Sequence, residues 1–241
     1  MKINNEAYTA ERIAGMMDFA VLDPATDEAR IREVCELAVK YKVKGVHPNP
    51  LWVSLVADLL DGTGLEAGIP VAFPFGAIPT ELKVAEAEAV VKSLKGRPAC
   101  IDMVTSIGKL KGRDYDYYTR DIAEVVKVGH GAGYEVKSIL EVAMLTDEEV
   151  ATACKCAVEA GVDFVKTSTG RGGNPQIKHV KIMRATVPDN VGVKFAGYGG
   201  YNPAQLTLMA IAAGASRLGT RRAVQICDEL NQYYQDIEIK G

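Results

Sequence analysis

The arrangement of apolar segments constrains this chain most. Short β-branched runs alternate with longer stretches of helical period, and eight such pairs follow one another along the sequence. The strand candidates are Met16 to Leu22, Gly45 to His47, Ile69 to Phe73, Cys100 to Val104, Glu135 to Leu140, Phe164 to Thr167, Gly192 to Ala196 and Arg217 to Gly219. Between them lie helix-start signals, which arise because the first turn of a helix has unsatisfied N–H donors. Thr146-Asp147-Glu148-Glu149 reads as a capping box, and Asn174-Pro175 and Asn202-Pro203 each read as an Asn cap before proline at the first helical position. Strict alternation builds a parallel sheet, and eight units in 241 residues favour a closed barrel over an open sheet. No linker rich in Pro, Ser or Gly divides the chain. The expected fold is therefore α/β, a (β/α)8 TIM barrel, with residues 1–241 as a single domain.

Composition narrows the setting. A hydrophobic content of 48% and a mean hydropathy near zero allow a sizeable core. The net charge of -3 and the pI near 5.7 give no basic field, which argues against non-specific nucleic-acid binding. Met1-Lys2-Ile3-Asn4-Asn5-Glu6 has no apolar signal core, and no segment approaches the roughly 18 apolar residues of a membrane span, so a cytoplasmic protein without membrane contact is expected. Cys35, Cys100, Cys154, Cys156 and Cys227 are scattered and read as buried thiols. Cys154-Lys155-Cys156 has neither zinc-finger nor redox spacing. His47, His130 and His179 form no ligand pair at helical spacing, so neither metal nor cofactor is expected.

Three charged residues interrupt apolar strands. Lys166 lies in Phe164-Val165-Lys166-Thr167-Ser168-Thr169-Gly170, Lys194 in Val191-Gly192-Val193-Lys194-Phe195-Ala196, and Asp102 in Cys100-Ile101-Asp102-Met103-Val104. Side chains alternate across a strand, so an inward Lys194 sends Val193 and Phe195 towards the helices, and an inward Asp102 does the same for Ile101 and Met103. A barrel core is normally filled by branched apolar side chains, and catalytic groups gather at the C-terminal ends of its strands. The alternative is a buried ion pair that serves only stability. To be half neutral near pH 7, Lys166 must fall from about 10.4, at a cost to the ammonium of about 4.6 kcal/mol. A Lys194 ammonium at about 5 Å and an effective dielectric near 20 would supply about 3.3 kcal/mol, with desolvation supplying the rest. A neutral lysine attacks a carbonyl and forms an iminium, and Asp102, through a water, would move the protons that later steps need.

These segments resemble deoxyribose-phosphate aldolase, a class I Schiff-base aldolase family, over residues from about Ile13 to Ile226 in one order. The resemblance implies a (β/α)8 barrel that cleaves 2-deoxy-D-ribose 5-phosphate reversibly to acetaldehyde and glyceraldehyde 3-phosphate. It makes Lys166 the Schiff-base lysine, Lys194 its activating partner and Asp102 the proton-relay acid. Asp18 in Met17-Asp18-Phe19 matches a substrate-facing aspartate, and Asn49-Pro50 and Phe73-Pro74-Phe75-Gly76 match further landmarks. A homo-oligomer, dimer or tetramer, is also expected.

The departures concern the substrate. After Asp18 stand Phe19, Ala20 and Val21 where the family usually has threonine, and His47 stands where it generally has cysteine. His47 reads either as a substrate contact or as a satisfied core histidine. Phe195-Ala196-Gly197-Tyr198-Gly199-Gly200-Tyr201-Asn202-Pro203 is longer than the family loop and lacks its arginine. Phosphate is expected at backbone amides of Gly199, Gly200, Gly219 and Thr220, with Thr169 and Gly170 nearby, as at a helix N-terminus. Arg171, Arg221 and Arg222 would add planar forks for an anionic sugar, or else form a solvated rim. Three other readings stay open: a Schiff-base aldolase for a different anionic sugar, a non-catalytic phosphosugar-binding barrel, and an isomerase or lyase that uses Lys166 as a base.

Overall fold

The structure is a computed structural model that describes residues 1–198, 203–235 and 238–239. Eight parallel strands close into a barrel: β1 (Met17–Val21), β2 (Gly45–Pro48), β3 (Glu66–Val71), β4 (Ala99–Val104), β5 (Glu135–Ile139), β6 (Phe164–Lys166), β7 (Gly192–Ala196) and β8 (Arg217–Thr220). Closure is made by β8 against β1, with Gly219 opposite Asp18. The outer helices are α1 (Glu28–Tyr41), α2 (Val53–Leu60), α3 (Thr80–Leu94), α4 (Tyr115–Gly131), α5 (Asp147–Glu159), α6 (Ile177–Thr186), α7 (Pro203–Ala212) and α8 (Ala223–Tyr233). Outside the barrel, Lys2–Ile3 pairs with both Glu6–Ala7 and Glu238–Ile239.

Period two sorts the strand residues as expected. Met17, Phe19, Ile101, Met103, Val193 and Phe195 are buried in the apolar layer with Ile31, Val34, Ile122, Val125 and Leu208 from the helices. The opposite face of the strands departs from an apolar core. Glu66, Lys137 and Arg217, at or before the middle of their strands, join Asp18, His47, Asp102, Lys166 and Lys194 as buried charged groups. Small residues make room for them. A methyl group on Gly68 would meet the His47 ring at 2.1 Å, and one on Gly219 would meet Ala196 Cβ at 2.7 Å and Lys194 Cε at 3.2 Å.

Two helix starts follow the sequence and one does not. Thr146 caps α5, its hydroxyl accepting from Glu149 N at 3.2 Å while Glu149 Oε2 accepts from Thr146 N at 2.8 Å. Pro203 opens α7, although its expected cap, Asn202, lies outside the described residues. Asn174 does not cap α6, which begins at Ile177. The Gln176 N–H donates to His179 Nδ1 at 3.1 Å, so an imidazole three residues on makes the back-bond that a capping-box glutamate would make.

A second buried ion pair fixes the end of β4. Lys83 on α3 is wholly buried and donates to Asp121 Oδ2 on α4 at 2.6 Å, Ser106 Oγ at 2.9 Å and the Val104 carbonyl at 3.0 Å. Thr80 adds a hydrogen bond to Asp121 Oδ1 at 2.8 Å. With all three ammonium donors used, removing one partner is costly because the other stays buried and charged. Lys83→Met should lower the unfolding free energy in urea by about 3–5 kcal/mol, and Lys83→Met combined with Asp121→Leu should recover much of it. A single-variant loss below about 1 kcal/mol would contradict this account.

Candidate active site

The C-terminal ends of β6, β4 and β7 bring Lys166, Asp102 and Lys194 into contact. Asp102 Oδ2 accepts from Lys166 Nζ and from Lys194 Nζ, each at 2.6 Å. Lys194 Nζ also lies 2.5 Å from Asp18 Oδ2, and Arg217 Nε donates to Asp18 Oδ1 at 2.8 Å. His47 is interleaved with the same carboxylates, its Nε2 3.2 Å from Asp18 Oδ2 and its Nδ1 3.5 Å from Asp102 Oδ2. Opposite charges therefore alternate through the upper barrel.

Burial sets the lysine chemistry. Desolvation is the largest influence on Lys166 and lowers it from 10.5 to about 8; Asp102 opposes the fall and Lys194 assists it. The order differs from the sequence expectation, which gave Lys194 the larger share. Lys194 spends its own charge on Asp18 and Asp102, and this contact weakens its field at Lys166. Burial alone would raise the Asp102 carboxyl, but Lys166, Lys194 and His47 hold it well below the usual range. Asp18 is likewise lowered against its burial by His47, Lys194 and Arg217. Burial disfavours the His47 cation, yet Asp18 and Asp102 outweigh it and push the imidazole up to about 10.

A cavity opens above these groups. Lys166, Lys194, Asp18 and His47 line it together with Ala20, Phe73, Ser168, Thr169, Gly170, Arg171, Asn174, Tyr198, Gly219, Thr220 and Arg221. Asp102 lies beneath, reached through the lysines. Thr167 turns aside: its hydroxyl donates to the Ala196 carbonyl at 2.7 Å and accepts from the Ala196 N–H at 2.9 Å, which locks β6 to β7. The loops after these strands touch through glycine. Gly197 has φ 79°, and a methyl group there would meet Gly170 N at 2.6 Å. Tyr198 stacks on Phe195 with centroids 4.6 Å apart and shares a 3.0 Å hydrogen bond with Thr207.

Arg222 is not among the described residues that line the cavity; it stands at the start of α8, where its N–H donates to Thr220 Oγ1 at 3.0 Å. Of the two arginines after β8, Arg221 lines the cavity among the described residues. Gly199 and Gly200 lie outside the described residues. Sequence reading missed Glu66, Lys137 and Arg217, although each repeats the signal of a charge at an inward strand position. It also missed Glu141, whose Oε2 accepts from the Thr169 hydroxyl at 2.5 Å and N–H at 3.2 Å and so fixes the loop after Lys166. His47, Cys100 and Asp102, and likewise Asp18, His47 and Glu66, bring donor atoms within 4.8 Å. The carboxylates in these clusters are already neutralised by Lys166, Lys194, Arg217 and His47.

The opposed shifts give a signed prediction for stability. His47 is raised from 6.5 to about 10, so its contribution is full below pH 6.5 and falls as pH rises towards 10. Lys166 is lowered from 10.5 to about 8, so the folded protein gains relative stability only between pH 8 and 10.5, where the unfolded chain alone keeps the proton. The urea midpoint should therefore fall between pH 6.5 and 8 and then fall less steeply as Lys166 begins to compensate. A midpoint that rises between pH 6.5 and 8 would overturn the charge assignment.

Comparison with known proteins agrees with this geometry. The sequence profile of the DeoC/LacD family aldolases matches residues 16–220. A deoxyribose-phosphate aldolase from Thermococcus kodakarensis is 42% identical over 219 residues, covering 90% of this chain and 96% of the relative. One from Enterococcus faecalis is 39% identical over 212 residues, covering 88% of this chain and 94% of its own. The solved tetrameric deoxyribose phosphate aldolase from Aeropyrum pernix superposes with a TM-score of 0.84 at 25% identity, over 93% of each chain. The chain thus belongs to the DeoC/LacD aldolase family and is a lyase with that family's barrel.

Proposed function

We propose that this protein is a Schiff-base aldolase that reversibly cleaves 2-deoxy-D-ribose 5-phosphate to acetaldehyde and glyceraldehyde 3-phosphate. The observation that carries the reading is a buried amine, lowered to about 8, at the floor of a cavity and 2.6 Å from the carboxylate that bridges it to a second lysine. The relatives named above support the substrate.

In this reading Lys166 is the nucleophile. Its neutral Nζ adds to the aldehyde carbon of the open-chain sugar, and loss of water gives an iminium. The iminium draws electrons from the C2–C3 bond. That bond breaks as the C3 hydroxyl loses its proton, which leaves glyceraldehyde 3-phosphate and an enamine on Lys166. Protonation of the enamine at C2 and hydrolysis release acetaldehyde and restore the amine. Asp102 serves these steps as the acceptor that orients Lys166 and Lys194, and through a water as the proton relay. Lys194 lowers the Lys166 ammonium and holds Asp102 charged. Asp18 and Thr169 stand at the cavity wall for the sugar hydroxyls.

The phosphate is assigned to the opposite end. Gly170, Gly219 and Thr220 offer backbone donors there, and Arg171 and Arg221 offer guanidinium forks. Gly199 and Gly200 belong to the same loop in sequence. A second reading, an aldolase for a different anionic sugar, is favoured by one observation: Ala20 lines the cavity where the resemblance places a hydroxyl. Product analysis over phosphorylated deoxy-sugars and ketoses separates the two. The whole chain is read as one catalytic domain. Its partners are small molecules rather than nucleic acid, consistent with its net charge of -3. Among the described residues no helix is long and apolar enough to cross a membrane. Assembly into a homo-oligomer, as in the tetramer from Aeropyrum pernix, and a cytoplasmic location complete the proposal.

Lys166→Arg should reduce retro-aldol turnover by more than about 10⁴-fold and abolish borohydride trapping, because a guanidinium stays charged and cannot form the imine. A variant that keeps more than about a hundredth of kcat would sink the covalent role. Asp102→Asn should still trap substrate while kcat falls by about 10²–10⁴-fold. Arg221→Ala should raise KM by about ten-fold or more, the size of one charge-assisted hydrogen bond, and Arg222→Ala should leave it within about two-fold. Equal effects of the two arginines would reject the assignment of Arg221 to the anion.

A further inference from the structure

His47 occupies a position where the resemblance places a cysteine, and the barrel makes room for its ring. The ring lies over Gly68 on β3 so closely that a methyl group there would meet Nδ1 at 2.1 Å, Cγ at 2.2 Å and Cε1 at 2.5 Å. Its two nitrogens face different carboxylates, Nε2 towards Asp18 at 3.2 Å and Nδ1 towards Asp102 at 3.5 Å. Each of those carboxylates already touches Lys194, at 2.5 Å and 2.6 Å respectively. Lys194, Asp18, His47 and Asp102 thus close a ring of alternating charge beneath the reactive amine.

The groups that face the imidazole come from every neighbouring strand. They are Asp18 on β1, Glu66 on β3, Cys100 and Asp102 on β4, and Lys194 on β7, with Arg217 on β8 drawing on Asp18 and Glu66. Lys137 on β5 stands 3.8 Å from Asp102 Oδ1, an oxygen without a hydrogen-bond partner among the described residues. Asp102 Oδ2 is shared by Lys166, Lys194 and His47. A carboxylate shared this way holds each cation less firmly than one that serves a single partner, because each added positive charge offsets part of its field. A thiol would add no positive charge and could not meet two carboxylates from opposite sides.

We propose that His47 is a positioning residue for the covalent step: as an imidazolium bridging Asp18 and Asp102, it offsets the Asp102 charge that would otherwise hold Lys166 as an ammonium. The proposal rests on the Schiff-base reading and deepens it. It changes the role of His47 from a sugar contact to a counter-charge that acts through Asp102. Asp18 and Asp102 push the imidazole up to about 10, in keeping with a cation at neutral pH.

The test measures how readily Lys166 forms an adduct with acetaldehyde plus cyanoborohydride, followed by mass spectrometry across pH. In the unaltered protein the midpoint should lie near the value of about 8 for Lys166. In His47→Gln and His47→Cys it should move to higher pH by about one unit, the effect of removing a nearby unit charge. A histidine that only fills space would lower yield or stability but leave the midpoint in place. An unmoved midpoint in both variants overturns the proposal. Imidazole NMR of the unaltered protein gives a second readout that does not depend on a variant folding, with assignment by His130→Asn and His179→Asn. His47 should remain an imidazolium through pH 8, and a neutral ring at pH 7 overturns the proposal. Failure of the unaltered protein to form any adduct with any carbonyl tested would instead reject the Schiff-base reading, and the NMR result would still decide the charge of His47.

Discussion

The Asp102 carboxylate is the point on which the barrel depends. It is nearly dry, yet Lys166 and Lys194 both donate to it at 2.6 Å. An ion in such a place is tolerated only with charged partners, and each of its partners is tolerated only because the carboxylate is there. Coupling of this kind propagates. Lys194 also pairs with Asp18, Asp18 with Arg217, and Arg217 with Glu66, so the interior holds a chain of charges in which the loss of one member unbalances its neighbours. The same coupling gives Lys166 its chemistry. Desolvation drives its proton off, while Asp102 keeps the fall moderate enough for the amine to cycle between charged and neutral near physiological pH.

The remainder of the fold serves to hold that network dry and in register. An apolar shell lies between strands and helices, with Ile101, Met103, Val193 and Phe195 turned outward from the strands that carry the charges. Lys83 binds the Val104 carbonyl and thereby fixes the end of β4 two residues beyond Asp102. Thr167 ties β6 to β7 directly after Lys166, and Glu141 fixes Thr169 two residues later. These contacts constrain the Lys166 strand on both sides, as the proposed covalent mechanism with its several proton transfers requires.

Much of this was legible in the sequence because two periods carry it. The alternation of short apolar runs with helical stretches gave all eight strands, with boundaries within a few residues, and period two gave the inward faces of Asp102 and Lys194. The same rule loses its force where the pattern is noisy. Lys137 sits among Glu135 and Ser138, so its strand does not read as apolar; Glu66 precedes the apolar part of β3; and Arg217 opens a strand of four residues. Lys83 is a different case. A lysine on an amphipathic helix normally reads as solvated, and only the packing of α3 on α4 shows that Asp121 awaits it. The balance at Lys166 was also beyond the sequence, since the weight of desolvation against Lys194 depends on how Lys194 divides itself between two aspartates.

The site divides into two parts, which in the proposed mechanism separates the covalent step from the fit of the substrate. Lys166, Lys194, Asp102 and His47 are fixed by strand backbone and by each other, and any alteration there perturbs several charges at once. Ala20, Arg171, Tyr198 and Arg221 are cavity-wall residues outside that charge network. Replacing a threonine by Ala20 removes a hydroxyl contact without leaving a buried charge unpaired, so it costs binding and spares the chemistry. A substitution that alters substrate fit can therefore sit at the rim, whereas a histidine at position 47 inside the network uses a carboxylate for each nitrogen and a glycine beneath the ring.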